Sequence, residues 1–146
     1  MRQILCVIDF TESSGKVLEV AARIAKACNA HLIVLFPFRL IQNSHPGDLP
    51  SLKRKLETEA RERFHKLQES IPNGDDLPME FLSEIGFMAD RIESHVKRNS
   101  PDMVIIGQPQ TLAANDIKSF NLQNLIANSK IPFVIVPAEI KAEASV

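Results

Sequence analysis

Five short stretches of the chain are apolar at nearly every position. The segments between them carry apolar residues every three or four positions instead. Ile4-Leu5-Cys6-Val7-Ile8 is the first continuous run, ending at Asp9. A run without alternation predicts a strand covered on both faces, as in a parallel sheet. His31-Leu32-Ile33-Val34-Leu35-Phe36 predicts a second such strand, stopped by Pro37. Met79 to Ser83 alternates and fits a shorter strand at a sheet edge. Met103 to Ile106, breaking at Gly107, predicts the fourth strand, and Phe133-Val134-Ile135-Val136, ended by Pro137, the fifth.

The intervening segments read as helices. Thr11 or Ser13 can cap the first, in which Val17, Val20, Ala21, Ile24 and Cys28 fall at helical spacing. Residues 38–50 are irregular, with Pro46-Gly47 and Pro50 as breakers. A long helix then runs from about Ser51 to Ser70, with Leu52, Leu56, Ala60, Phe64 and Leu67 as its buried stripe. Glu57–Arg61, Glu59–Arg63 and Glu62–Lys66 are spaced as i,i+4 ion pairs with the acid first, the favourable orientation. These acids balance Lys53-Arg54-Lys55, so that basic run reads as a solvated face. Pro72-Asn73-Gly74-Asp75-Asp76 is a turn. Gly86 opens a connection to a third helix marked by Ala89, Ile92 and Val96. Residues 107–118 form a loop before a short fourth helix carrying Leu122, Leu125 and Ile126.

The order β-α-β-α-β-α-β-α-β predicts an α/β fold: an open five-stranded parallel sheet with right-handed crossovers and helices on both faces. The length of 146 residues suits one domain, taken as residues 1–138, with 139–146 as a polar, flexible tail. Net charge −1 gives no electrostatic footprint for nucleic acid or an anionic membrane. No apolar run approaches the roughly 18 residues that span a bilayer. The short, β-like N-terminus does not read as a signal peptide, which points to the cytoplasm. Cys6 in a strand and Cys28 near a helix end read as two buried thiols rather than a disulfide.

Four segments in this order, at these separations, resemble the universal stress protein family over nearly the whole chain. They are Ile4-Leu5-Cys6-Val7-Ile8-Asp9-Phe10-Thr11-Glu12-Ser13, Gly86-Phe87-Met88-Ala89-Asp90-Arg91-Ile92, Pro101-Asp102-Met103-Val104-Ile105-Ile106-Gly107 and Ile131-Pro132-Phe133-Val134-Ile135-Val136-Pro137. The resemblance implies a Rossmann-like fold of the adenine nucleotide alpha hydrolase-like kind, with strand order 3-2-1-4-5. The order then reverses between strands one and four, and ligands of open α/β sheets bind beyond the carboxyl ends at such a point. Those ends are Asp9 and Gly107.

The family's ATP-binding branch carries a G-x2-G-x9-G-[S/T] loop after the fourth strand. Its glycines let backbone N–H groups close on phosphates, and the last helix aims its positive end at them. By that resemblance the nucleotide-binding candidates are Asp9, Pro37, Ile106, Gly107, Gln110, Ser119 and Phe120. Here the second glycine is Gln110, the final Gly-Ser pair is Ser119-Phe120, and the spacing is one residue short. Asp116 adds negative charge, Phe36-Pro37 replaces the family's frequent His-Val, and Lys118 remains as a cation for a smaller anion. No cofactor is expected, ATP or AMP being the candidates. Asp9 either faces an adenosine moiety or caps and orders the turn into the next helix, and Gly107 has the parallel alternative of a bare tight turn.

Other motifs carry little chemistry. Ser13-Ser14-Gly15-Lys16 is not a phosphate loop, because Phe10 and Val17 stand at its glycine and Ser/Thr positions. His31, His45, His65 and His95 lack metal-ligand spacing, and no catalytic residue is assigned. The resemblance implies a homodimer through the last strand, with Pro132, Phe133, Val134, Ile135 and Val136 at the interface. The leading reading is a stress-response regulator or binding module, not an enzyme, weak or lacking in ATP binding, with an unnamed protein client. The alternative is an ATP-binding protein with a remodelled phosphate loop, or a slow ATPase. Thiol redox chemistry trails far behind, since there is no Cys-x-x-Cys.

Overall fold

The computed structural model describes residues 2–40, 48–108 and 119–137. Its elements are β1 (Gln3–Val7), α1 (Ser14–Cys28), β2 (His31–Phe38), α2 (Leu49–Ser70), β3 (Met79–Ile85), α3 (Met88–Asn99), β4 (Met103–Gly107), α4 (Ser119–Asn128) and β5 (Phe133–Val136). The strands form one sheet in the order β3-β2-β1-β4-β5. Every pairing is parallel: Cys6 lies beside Val34 on one side and Ile105 on the other, and Val104 beside Phe133.

Strand alternation divides the core into two layers. Ile4, Cys6 and Ile8 pack with Leu32 and Val34 against Val17, Leu18, Ala21 and Phe64 of α1 and α2. Leu5, Val7, Ile33 and Leu35 pack with Val104 and Ile106 against Ala89 and Ile92, with Leu125 and Ile126 of α4 alongside. β1 is therefore buried on both faces, as its unbroken apolar run requires. Its start is tied to β4 by Asp102, whose carboxylate accepts the Arg2 and Gln3 N–H groups at 2.6 and 3.0 Å. Among the described residues, no helix is long and apolar enough to cross a membrane.

Several local expectations are corrected. Pro37 does not stop β2, which continues to Phe38 and pairs Pro37 with Glu84 of β3. Leu35 O accepts from Ile8 N, and Phe38 O accepts from Gly86 N. Alternation thus turns Pro37's missing donor toward the β1 side, where β1 has already ended, so the ladder loses nothing. Pro50 lies in the first turn of α2 rather than before it, a position where a helix needs no donor. β3 runs two residues past Ser83. Cys28 is exposed on the last turn of α1, so only Cys6 is a buried thiol, and neither is in a disulfide.

The three ion pairs expected along α2 do not form. Ion pairs among the described residues join His31 to Glu80, Lys97 to Glu93 and Arg98 to Glu84. The Arg63 guanidinium instead stacks 4.5 Å over the Phe10 ring and reaches Phe10 O at 3.5 Å. The acid partner, in water, offers less than about 0.5 kcal/mol, so an aromatic face at hand outcompetes it.

Candidate functional site

β1 and β4 are adjacent in the sheet, with Val7 opposite Ile106 as their last pair. β1 leads toward β2 by way of α1, and β4 leads toward β5 on the other side by way of α4. The chain therefore diverges at this point, beyond which open α/β sheets bind ligands in a crevice. Asp9 follows β1 by two residues, Gly107 ends β4, and Pro37 lies near the end of β2. Sequence-distant candidates are thus brought to one end of the sheet. Ile106 belongs elsewhere: its side chain is fully buried in the layer against α3, leaving only its backbone near the crevice. Gln110, Asp116 and Lys118 lie outside the described residues, while Ser119 and Phe120 begin α4.

Asp9 is half-buried and busy. Its Oδ1 accepts the Thr11 N–H at 3.0 Å, the Thr11 hydroxyl at 2.6 Å and the Ser14 hydroxyl at 3.2 Å. This is an Asx-type turn that orders the entry to α1. Ser13 stands at the N-cap without a side-chain capping bond, so neither Thr11 nor Ser13 caps the helix in the usual way. Asp9 Oδ2 has no hydrogen-bond partner among the described residues. The turn also forces Phe10 to φ 59, a left-handed backbone that costs a non-glycine residue roughly 1–2 kcal/mol. Its ring recovers contact against Phe36, edge-on with centroids 4.7 Å apart, and beneath Arg63.

The neighbouring end of β2 carries an aromatic wall that the sequence pattern did not single out. Phe36 and Phe38 stack with centroids 5.9 Å apart, and Arg39 sits 4.2 Å over the Phe87 ring. A groove of about 880 Å³ lies between α3 and α4, with Pro101 and Ile131 in its lining. Cys6 is sealed in the core, and burial pushes its thiol up to about 12, which rules it out as a nucleophile. Among the described residues there is no group of three or more His, Cys, Asp or Glu able to hold a metal. At the sheet's far edge β5 is paired on one side only. Phe133 and Val134 are half-buried, Val136 is buried, Pro132 is exposed and Ile135 is 45% exposed.

A doubly wound parallel sheet whose strand order reverses between β1 and β4 defines a Rossmann-like fold. The universal stress protein family model matches residues 1–137, and the chain belongs to that family. No curated protein sequence matches it significantly. Among solved structures, it is similar to the universal stress protein UspA from Lactobacillus plantarum, at 16% identity and TM-score 0.69, over 92% of this chain and 97% of that one. A universal stress protein in complex with cAMP is 20% identical, TM-score 0.57, over 93% and 96%. The universal stress protein from Archaeoglobus fulgidus in complex with dAMP is 14% identical, TM-score 0.56, over 93% and 97%. At these identities the shared property is the fold.

Proposed function

We propose that this chain is a stress-response regulator or binding module, not catalytic, that binds ATP weakly or not at all and assembles as a homodimer through β5. The observation that carries the reading is the state of Asp9. One of its oxygens is already spent on three internal hydrogen bonds that shape the α1 entry, so the residue has a purpose without any ligand. The sequence after Gly107 points the same way, with Gln110 and Phe120 where a phosphate loop needs glycine and a hydroxyl. Two lost or blocked donors, at about 1–3 kcal/mol each, weaken a triphosphate by roughly two to four orders of magnitude. The dimer is supported by an apolar edge strand with an exposed isoleucine, a surface that invites pairing.

A second reading, an ATP-binding protein with a remodelled loop or a slow ATPase, draws on a specific feature. Asp9 Oδ2 faces no partner among the described residues, and two structures of the same fold were solved with adenine nucleotides. Calorimetry with ATP and ADP, with a native mass spectrum of the protein as purified, separates the two. The expected result is no saturable binding below about millimolar and no retained nucleotide. Tight binding or a copurified nucleotide would refute the first reading and establish the second. Restoring the loop with Gln110→Gly, Ser119→Gly, Phe120→Ser and one inserted residue is expected to raise affinity.

A further inference from the structure

We propose a second ligand site, separate from the crevice between β1 and β4: a cavity between α2 and the end of β2 that takes a small planar organic anion. The cavity has a volume of about 450 Å³, enough for a ligand of one or two fused rings with an acidic group. Phe36 and Phe38 form one wall and Leu56 with Ala60 the other. Alternation along β2 turns Phe36 and Phe38 to the α2 side and Pro37 to the opposite side, so this cavity and the contact expected of Pro37 lie on different faces of the sheet.

Three cations line it: Arg39, Arg63 and Lys66. None is in an ion pair with a carboxylate among the described residues. This holds although Glu59 and Glu62, also in the lining, stand one helical turn before Arg63 and Lys66 on α2. Both guanidiniums are held by aromatic faces instead, Arg63 over Phe10 and Arg39 over Phe87. Stacking fixes a guanidinium plane; Arg63 gives one N–H to Phe10 O at 3.5 Å and keeps its others, and a planar fork suits a carboxylate, sulfonate or phosphate. The strained Phe10 is part of this arrangement: its left-handed backbone presents the ring on which Arg63 rests. The cavity thus has an aromatic wall and three cationic side chains in its lining. The anionic group goes to Arg39, Arg63 and Lys66, and the ring lies against Phe36 and Phe38.

The test is a titration of the full chain with 1-anilinonaphthalene-8-sulfonate, a planar aromatic anion, followed by fluorescence and calorimetry. One saturable site below about 0.1 mM is expected, weakened at least about tenfold in the double variant Arg39→Gln, Arg63→Gln. Phe38→Ala is expected to weaken it by a similar factor with all charges intact. Excess ATP is expected to leave the probe bound, so failure of the nucleotide reading and failure of this one are told apart. Should the double variant not fold, judged by circular dichroism, Lys66→Gln replaces it, with an expected loss of about threefold. No saturable binding, equal binding by parent and cation variants, or loss on Leu125→Gln in the α3–α4 groove overturns the proposal.

Discussion

Replacing Asp9 with alanine tests whether that residue is spent on structure. The substitution removes the acceptor of three hydrogen bonds. Their worth differs with exposure. The Thr11 N–H and hydroxyl are exposed and turn to water, so each loss costs about 0.5 kcal/mol. Ser14 is only 2% exposed, and its hydroxyl is left without its acceptor, at about 1–2 kcal/mol. The sum is about 2–3 kcal/mol. For a chain of this size, that lowers Tm by roughly 4–12 °C. Asp9→Asn keeps an oxygen in place and is expected to cost less than about half as much. Urea unfolding followed by circular dichroism gives both values, with unchanged m supporting an intact native state. An alanine variant within about 0.5 kcal/mol of the parent refutes the structural role, and so does an asparagine variant as damaged as alanine. Either result returns Asp9 to the ligand side of the argument.

Two further outcomes follow from the same structure. A charge at the exposed Ile135, as in Ile135→Asp, is expected to convert the proposed homodimer to monomer. Light scattering that finds the parent already monomeric at micromolar concentration removes the β5 interface. The second outcome concerns acid. Burial holds the His95 imidazole below its usual value of 6.5, against the opposing pull of Glu84 and Glu80 on β3, with Arg98 acting in the same downward direction. His95 is therefore neutral when folded and takes a proton more readily when unfolded. Stability is complete above about pH 6.5 and falls as pH drops below it, because the unfolded chain then binds the extra proton. His95→Gln is expected to flatten that fall, and a slope that persists in the variant assigns it to other groups.

Element order and strand assignment were legible because β1, β2 and β4 are apolar without interruption, and burial on both faces produces that signature and little else. The places where the pattern misled share one cause: a local rule met a tertiary circumstance invisible in sequence. Pro37 breaks a ladder only where a neighbour needs its donor, and β1 has ended by then. Glu59 and Arg63 have the spacing of a pair, yet an aromatic ring from a turn 53 residues away lies within reach. Cys28 keeps the helical spacing of Val17 and Ala21, but it is the last residue of α1 and is exposed there. His95 is 1% exposed; it stands three residues after the buried Ile92, on the apolar stripe of α3, and its polar ring hid that position. It is accommodated because Gln3 Oε1 at 3.3 Å and Asn99 supply polar partners. The resemblance put Asp9 and Gly107 at the carboxyl ends of β1 and β4, where they lie, whereas the turn that occupies Asp9 depends on the left-handed Phe10, which no propensity rule assigns to phenylalanine.

The central position of β1 has a consequence for biosynthesis. One of its edges is closed by β2, which follows within a few dozen residues, but the other waits for β4, whose pairing with Ile4–Val7 spans about a hundred positions of chain. During synthesis at roughly 5–20 residues per second, some 70 residues must emerge between the two events. That leaves a strand destined for burial on both faces with an open ladder for about 3–14 s. A nascent β1–β2 pair in that interval offers the same backbone donors and acceptors to any other strand nearby, and it is the stage at which the chain most needs a chaperone.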